Sequence, residues 1–376
     1  MPAIIYYNIT NSKLTLGGWF SLSLQYPSLP SQFGTIRIIM PELTQMLRVG
    51  LFGSRNDGGA QFEPSRDIPL MAGKVILITG AAGDLGRQTA VELVRHGHPA
   101  RIYVADLPRD ANKQADILGQ IQREAYNGEA KPNGAHATDL RFLDLDLTSL
   151  ESVKRCASDF IAKEERLDIL VLNAGIIRVK PGSTAEGYEL HFGLNYLGHA
   201  LLSRLLVPIM LRTAQQQSNA DLRVVVVSSE GHAMAPDGGI QFDRLKTDCA
   251  EMSYSRRYGQ SKLALISLAR ELASRHPQLT TAAVHPGRIL TGMAASLAKE
   301  SLLVRLTGPI APLVCVPVSV GVKNHLWAAT SQDVVSGKYY EPVGVPNKET
   351  ALAKDGDLSR RLWDWTEEEL RVYVAA

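Results

Sequence analysis

The chain has 376 residues, of which 45% are hydrophobic and 21% charged, as in an ordinary globular protein. Its formal net charge is +2 and its charges are interspersed, so we expect neither a nucleic-acid partner nor an acidic tail. Cys156, Cys249 and Cys315 lie far apart without zinc-site spacing, so we expect no metal and no disulfide framework. A reducing, cytoplasmic compartment fits best, and peripheral membrane association is left open.

Residues 1–60 differ from the rest of the chain. They are rich in Ser, Gly, Pro and Tyr and follow neither the period of a helix nor that of a strand. We interpret them as a poorly ordered extension before a catalytic domain at 61–376, dispensable for folding and catalysis. The N-terminal sequence lacks a basic region followed by a clean apolar stretch, so we expect no secretory signal. Met40 and Met46 are candidates for alternative starts, so translation of the first forty residues is left open.

From Gly73 onward, seven apolar and β-branched runs alternate with helical stretches. The runs are almost continuous in Val, Ile and Leu, which is typical of strands buried on both faces of a parallel sheet. The predicted strands are 74–79, 100–105, 140–147, 167–172, 222–228, 280–285 and 337–340. This pattern predicts an α/β fold: a single Rossmann-type, doubly wound parallel sheet of about seven strands, in the order 3-2-1-4-5-6-7, with helices on both faces.

A glycine-rich turn at 79–86 joins the first predicted strand to a helix. Glycines permit a tight turn and let the backbone approach a pyrophosphate, which the helix N-terminus then stabilises. Such turns also end strands for structural reasons alone, but the strand before and the helix after favour cofactor binding. We therefore expect Gly80, Leu85 and Gly86 to contact the phosphates of a dinucleotide.

Asp106 lies twenty residues beyond Gly86, at the end of the second predicted strand. A carboxylate there accepts hydrogen bonds from the adenosine ribose and repels a 2′-phosphate, so it favours NAD over NADP. Arg87 and Arg109 are close in sequence and would weaken that preference. The alternative interpretation of Asp106 is an exposed residue of a turn.

Tyr258 and Lys262 are four residues apart, so on a helix they share one face. An ammonium near a phenol lowers the phenol pKa from about 10 towards the working range. Tyr258 can then give or take a proton at a carbonyl or alcohol oxygen. Taken alone, the pair is weak evidence for a catalytic site, because this spacing also arises by chance.

Five further motifs follow the predicted strands in order. They are Asp146 after the third strand, Asn173-Ala174-Gly175 after the fourth, Asn195 in the next helix, Ser229 after the fifth, and Pro286-Gly287 with Thr291 after the sixth. Together with the glycine turn and the Tyr–Lys pair, they resemble the short-chain dehydrogenase/reductase family over roughly residues 62–345. The segments YGQSKLA at 258–264 and YYEPVGV at 339–345 are most similar to retinol-dehydrogenase-like members, especially fungal ones.

The resemblance implies that Tyr258 is the general acid/base, while Lys262 holds the nicotinamide ribose and tunes Tyr258. It implies that Ser229 positions and polarises the substrate oxygen. The backbone around Asn195 would hold a water that links Lys262 to solvent. Further cofactor contacts would come from Gly80, Asp84, Leu85, Gly86, Asp106, Asp146, Asn173 and Thr291. Taken alone, Asn195 is as easily interpreted as a structural residue in the core of a helix, and Ser229 as a structural residue at the end of a strand. The order of all the motifs argues against these structural interpretations.

Asp84 departs from the family pattern, which has glycine at this position, whereas here Gly83 comes one place early. A carboxylate that faces a pyrophosphate would repel it. We therefore expect Asp84 to turn away and to cap the helix, where acidic groups are favourable.

Two mostly apolar regions are expected to cover the substrate. One is the loop between Ser229 and Tyr258 with Met234, Pro236 and Phe242, and the other is a C-terminal covering segment around 290–320. They favour a lipophilic alcohol, aldehyde or ketone as the small-molecule substrate, with NAD or NADP as cofactor.

Several alternatives stay open. Prolines and Arg305 interrupt the apolar stretch 301–322, so we expect no membrane-spanning segment. A homodimer is left open. The rival functions are a catalytically quiet cofactor-binding scaffold and a non-redox enzyme of the same fold, such as a dehydratase or epimerase.

Overall fold

A computed structural model describes residues 59–128, 137–217, 219–289 and 315–374. Within the predicted extension only Gly59 and Ala60 are described, and the Ala60 N–H donates to the Val343 carbonyl at 2.7 Å. Thr291 and residues 290–314 of the expected covering segment lie outside the described residues.

The described chain forms an eight-stranded sheet in the order β3-β2-β1-β4-β5-β6-β7-β8. The strands are β1 Val75–Thr79, β2 Arg101–Asp106, β3 Asp139–Asp144, β4 Ile169–Leu172, β5 Arg223–Val227, β6 Thr280–Val284, β7 Lys338–Glu341 and β8 Val345–Pro346. The first seven pair in parallel, which confirms the predicted sheet and its order. The added strand β8 is antiparallel to β7 and only two residues long, so it leaves no apolar run in the sequence.

Helices and helical turns lie between the strands. The helices are α1 Pro64–Asp67, α2 Asp84–Glu92, α3 Ala111–Ala125, α4 Leu150–Ile161, α5 Gly198–Gln216, α6 Tyr254–Arg275, α7 Val318–Thr330, α8 Ala351–Lys354 and α9 Gly356–Val374. π-Helical turns lie at Leu93–Gly97 and Phe192–Leu197, and 3-10 turns at Glu230–Met234 and Phe242–Arg244.

The sheet separates two hydrophobic cores. Along β1, Val75 and Leu77 point into one core, and Ile76 and Ile78 into the other. All five residues of β1 are buried because side chains alternate between two faces that are both covered. This double burial explains why the strands read as continuous apolar runs.

The C-terminal helix α9 was not predicted from the sequence. Leu358, Leu362, Thr366 and Leu370 recur every fourth residue and are all buried, and the three leucines join the first core. The Thr366 hydroxyl lies 2.7 Å from the Tyr196 hydroxyl, which ties α9 to the segment before α5. That four-residue spacing was the available sequence signal.

We expected Phe242 to lie in a loop that covers the substrate, but it packs against the C-terminal helix. Its ring makes an edge contact with Trp365 of α9, with centroids 6.2 Å apart, and the Arg361 guanidinium stacks over it at 4.3 Å. The C-terminal helix supplies apolar surface there, so Phe242 packs on the core.

One described helix, Phe192–Gln216, passes a length-and-composition test for a membrane span. Its most apolar stretch is 72% buried within the protein, as is common for the core helix of a folded domain.

We expect Leu362→Ala to lower the free energy of unfolding by about 2–5 kcal/mol, because it opens a cavity where α9 enters the first core. Leu362 is 1% exposed, whereas Val372 on the same helix is 70% exposed. Urea titration of Leu362→Ala beside the control Val372→Ala measures the difference. Equal stability of the two variants would show that α9 is not part of the cooperative core.

Candidate active site

The predicted site residues lie on segments that meet at the carboxyl edge of the parallel sheet. The glycine turn follows β1, Asn173 follows β4, and Ser229 follows β5 beside the first turns of α6. Carboxyl ends of parallel strands are where open α/β sheets bind their ligands. The α6 helix begins after Ser253, whose hydroxyl accepts a hydrogen bond from the Arg256 N–H at 3.4 Å.

The glycine turn is too tight for any side chain at two positions. A Cβ on Gly80, whose φ is +66°, would lie 2.9 Å from the Ala174 Cα. A Cβ on Gly86 would lie 2.5 Å from the Gly80 carbonyl oxygen and 2.7 Å from the Asn173 Nδ2. Asn173 also donates from Nδ2 to the Thr79 carbonyl at 2.9 Å, so it holds the turn in place. The close packing presents backbone at the N-terminus of α2, as binding of a pyrophosphate requires.

Asp84 is the first residue of α2, and Gly83 occupies the N-cap position with an extended backbone. The expectation that Asp84 caps the helix is therefore wrong by one residue. An acidic group in the first turn is still favoured by the helix dipole. Leu85, the next residue, packs partly buried against the second core.

Asp106 braces the glycine turn. Its Oδ2 accepts a hydrogen bond from the Ala82 N–H at 3.0 Å, and its Oδ1 accepts one from the Leu107 N–H at 2.9 Å. The Arg109 Nη2 lies 3.6 Å from Oδ1, whereas the Arg87 Nη1 pairs with Glu124 at 2.8 Å. Of the two arginines that would weaken a preference for NAD, Arg109 is thus the one beside Asp106.

Asp146 also supports a turn. β3 ends at Asp144, earlier than predicted, and the Asp146 Oδ1 accepts hydrogen bonds from the N–H and the hydroxyl of Thr148, at 2.9 and 2.6 Å. This turn leads the chain into α4.

Tyr258 and Ser229 are partly exposed and lie side by side, since a Cβ on Gly231 would be 2.7 Å from the Tyr258 Cε1 and 3.3 Å from the Ser229 hydroxyl oxygen. The surrounding protein raises the pKa of Tyr258 to about 12, the hydrogen bond with Ser229 opposes the rise, and the Glu230 carboxylate adds to it. The sequence predicted a lowered pKa, and in this structure burial outweighs the favourable contacts.

Lys262 is 4% exposed and lies beside the Tyr258 ring, with its Nζ 5.6 Å from the ring centroid. The Nζ donates a hydrogen bond to the Val227 carbonyl at 2.9 Å. Burial lowers the pKa of Lys262 to about 7, because an ammonium loses its hydration there. The lysine is thus poised between its charged and neutral forms near neutral pH.

Asn195 lies in the π-helical turn Phe192–Leu197 and is fully buried. Its Oδ1 accepts a hydrogen bond from the Ile176 N–H at 2.8 Å, and its Nδ2 donates to the Ser261 hydroxyl at 2.9 Å. The Asn195 side chain therefore joins the segment after β4 to α6, the helix that carries Tyr258 and Lys262.

Three comparisons with known proteins agree with this geometry. Residues 74–241 match the family model for short chain dehydrogenase. An uncharacterized oxidoreductase of Schizosaccharomyces pombe is 36% identical, over 82% of this chain and 86% of that protein. The chain belongs to the short-chain dehydrogenase family. It is thus an NAD(P)-dependent oxidoreductase of the Rossmann type.

Two more relatives place the chain within the family. Human retinol dehydrogenase 14 is 37% identical, over 80% of this chain and 87% of that protein. The crystal structure of an uncharacterized protein from Mycobacterium Paratuberculosis is 27% identical, with a TM-score of 0.61 over 83% of this chain and 98% of that one. The resemblance to retinol-dehydrogenase-like members is confirmed.

A buried network beneath the site of this short-chain dehydrogenase was not predicted from the sequence. The His199 Nδ1–H donates to the Asn195 carbonyl at 2.8 Å, and its Nε2 lies 2.9 Å from the Thr79 hydroxyl. Burial lowers the pKa of His199 to about 4, so the ring is neutral and its Nε2 accepts from Thr79. His199 lies four residues after Asn195, a spacing that places both on one helix face.

A second missed feature is the fit of two glycines around Tyr258. A Cβ on Gly231 would lie 2.7 Å from the Tyr258 Cε1, and one on Gly259 would lie 2.5 Å from the Met234 carbonyl carbon. The turn Glu230–Met234 can therefore pack directly on α6. No periodic pattern in the sequence announces such a close approach.

A third missed feature is a buried charged cluster next to Tyr258. The Glu189 Oε1 lies 2.9 Å from the His191 Nδ1 and 3.8 Å from the Arg257 Nη1. The His191 ring meets the Tyr258 ring edge-on, with centroids 6.2 Å apart. These residues hold the N-terminal end of α6 against the π-helical turn.

We expect the buried Lys262 to make folding depend on pH. The folded chain releases the Lys262 proton near pH 7, whereas the unfolded chain keeps it up to about pH 10.5, so the free energy of unfolding rises with pH between these values. Relative to Lys262→Met, the parent should gain roughly 1 kcal/mol per pH unit from about pH 7 to about pH 9. Chemical denaturation at several pH values measures this slope.

The exposed Lys348 provides the control for that experiment. Lys348→Met should follow the parent at every pH. A Lys262→Met variant that also follows the parent would show that Lys262 keeps its ordinary pKa in the folded chain.

Proposed function

We propose that this dehydrogenase transfers a hydride between a nicotinamide cofactor and a lipophilic alcohol, aldehyde or ketone, with Tyr258 as the general acid/base. The observation that carries the proposal is the meeting of three groups at one point. The Ser229 hydroxyl and the Tyr258 ring both lie against Gly231, and the Lys262 Nζ lies beside the same ring. Such a group can donate and accept a proton at a single substrate oxygen.

The residues present fit a dinucleotide. Gly80 and Gly86 keep side chains away from the N-terminus of α2, where a pyrophosphate binds. Asp106 ends β2, where it can receive the adenosine ribose, and the Lys262 Nζ retains donors beyond its bond to Val227 for the nicotinamide ribose. When bound, the cofactor supplies the acceptor or donor of the hydride.

The side chains of the site divide the work on the proton. In reduction, the Tyr258 O–H gives its proton to the carbonyl oxygen, and in oxidation the phenolate takes the proton from the alcohol. The Ser229 hydroxyl holds the same oxygen by a hydrogen bond. Lys262, in its charged form, stabilises the phenolate, and its pKa near 7 lets it exchange a proton at neutral pH.

The lipophilic substrate is inferred from likeness and from the wall of the site. Relatives that bear the name retinol dehydrogenase act, by that name, on a lipophilic alcohol. In this chain the turn that carries Met234 packs directly on α6 at Gly259, next to Tyr258. An apolar side chain on that turn suits a substrate with a hydrocarbon body.

Replacing Tyr258 tests the proton role. Tyr258→Phe removes one hydroxyl and keeps the ring, so turnover should fall by roughly 10²–10⁴-fold, with the affinity for NADH or NADPH nearly unchanged. Lys262→Ala should reduce both. Steady-state kinetics on a panel of lipophilic carbonyls, with cofactor binding followed by fluorescence, measures the effects.

Tyr254→Phe is the matched control, because Tyr254 begins the same helix and its ring faces Arg178 at 5.8 Å. It should keep near-parental turnover. If Tyr258→Phe does so as well, Tyr258 is not the acid/base. Products that show water loss or inversion of configuration instead of oxidation or reduction would assign a non-redox reaction.

The cofactor preference is a separate proposal. We expect NADH to bind more tightly than NADPH by roughly tenfold, or about 1.4 kcal/mol, because Asp106 repels a 2′-phosphate and Leu107 offers no positive charge to it. Asp106→Ala should narrow this gap, and fluorescence titration with both cofactors measures it.

Asp106→Asn separates the charge from the structural bond. Its side-chain oxygen can still accept the hydrogen bond from the Ala82 N–H that braces the glycine turn. The gap should therefore narrow in Asp106→Asn without a general loss of cofactor affinity. Tighter binding of NADPH by the parent would overturn the assignment.

A further inference from the structure

An ion pair crosses the site between the catalytic serine and the turn after β6. Glu230 directly follows Ser229, and Arg288 directly follows Pro286-Gly287. The Arg288 Nε donates to the Glu230 Oε1 at 2.6 Å and its Nη2 to Oε2 at 3.3 Å. The two side chains are 21% and 13% exposed, so this two-point contact is largely sheltered from solvent.

Both partners stand on anchored backbone. On one side, the Ser229 hydroxyl accepts a hydrogen bond from the Gly231 N–H at 3.0 Å, and the His232 Nδ1–H donates to the Ser229 carbonyl at 2.7 Å. On the other side, the Arg288 carbonyl accepts a hydrogen bond from the Val316 N–H at 2.7 Å. The pair thus connects two turns whose backbones are both held by hydrogen bonds.

The pair also brings a charged group close to Tyr258. Among the described residues, the groups near this phenol are Ser229, just before the 3-10 turn, Glu230 at its start, His191, just before the π-helical turn, and Lys262 from α6. Among them, the Glu230 carboxylate raises the pKa of Tyr258, because a negative charge disfavours phenolate. The Arg288 guanidinium is bound to that carboxylate and supplies the opposing charge.

In the described part of the chain, the groups near the pair that can change charge include Tyr339 and Cys315, and the carboxylates of Glu341 and Glu349 lie close to Tyr339. Tyr339 and Cys315 respond to the charge of Glu230, and burial of both raises their pKa values. Burial, with a contribution from the Arg288 charge, lowers the pKa of His285 to about 3, so this ring is neutral. Among the described groups, Glu230 is the charged one that raises the pKa of Tyr258, and Arg288 is its ion-pair partner.

We propose that Glu230 and Arg288 are positioning residues for proton transfer: Arg288 neutralises Glu230 beside Tyr258 and keeps the Ser229 turn in register with the turn after β6. The proposal rests on the proposed role of Tyr258 as the acid/base. An ion pair that served stability alone would leave the ionisation of Tyr258 unchanged when it is removed.

The pH dependence of alcohol oxidation tests the proposal, since this direction requires the Tyr258 phenolate. Arg288→Gln leaves Glu230 uncompensated and should move the rising limb of kcat to higher pH by roughly one unit. Glu230→Gln should move it to lower pH by a similar amount, and the double variant should return close to the parent. Arg288→Lys keeps the charge and should stay near the parental limb.

A purely structural pair predicts another pattern, in which the variants lose thermal stability or turnover without any movement of the limb. In that pattern Arg288→Lys is as damaging as Arg288→Gln. A limb that does not move in the variants overturns the proposal, and so does equal damage by Arg288→Lys and Arg288→Gln. If Arg288→Gln does not fold, the shift of Glu230→Gln to lower pH decides.

Absorbance of the phenolate gives a readout that needs no substrate. The difference between the parent and Tyr258→Phe isolates the titration of Tyr258, and in the Glu230→Gln background this titration should move to lower pH. If Tyr258→Phe keeps full turnover, the proposed function fails, whereas the absorbance still tests the charge balance. If Tyr258→Phe loses turnover and neither the limb nor the absorbance moves, only the role of the pair fails.

Discussion

The geometry of the site depends on the hydrogen bonds of one buried hydroxyl, that of Thr79 at the end of β1. It accepts hydrogen bonds from the N–H groups of Asn173 and Ala174 at 2.9 and 3.0 Å, and it donates to the neutral His199. His199 in turn holds the Asn195 carbonyl. The first strand, the turn after the fourth strand and the π-helical turn are thereby fixed to one another. Because these groups are buried, loss of the Thr79 hydroxyl or of the His199 ring would leave buried polar groups without a partner.

Lys262 and Tyr258 show how burial sets the chemistry at this edge. The same desolvation moves the two pKa values in opposite directions, towards about 7 for Lys262 and about 12 for Tyr258. Both residues are driven towards their neutral forms, so in the chain alone an ion pair between them is disfavoured. Charges placed around the phenol then decide how readily it ionises, which is why Glu230 and its partner Arg288 matter beyond their contribution to stability.

The sequence was sufficient to predict the strands and the order of the motifs. It was insufficient to predict the contacts between segments that are distant in sequence. The seven parallel strands follow from runs such as 74–79, because burial on both faces leaves a continuous apolar signal. The eighth strand is two residues long and gives no such signal. The positions of Tyr258, Ser229 and Asn195 came from motif order. The direction of the shift in the pKa of Tyr258 could not be predicted in this way, because it depends on burial by segments that are distant in sequence.

The site also carries groups that work against folding. Lys262 loses hydration, and in the described part of the chain neither ring nitrogen of His285 has a hydrogen-bond partner. Stability must therefore come from elsewhere, and the structure indicates where. The C-terminal helix α9 closes the first core with Leu358, Leu362 and Leu370, on the face opposite the glycine turn's own core. Because the packing of these three leucines is apolar, it offsets the cost of the site without adding charge to it.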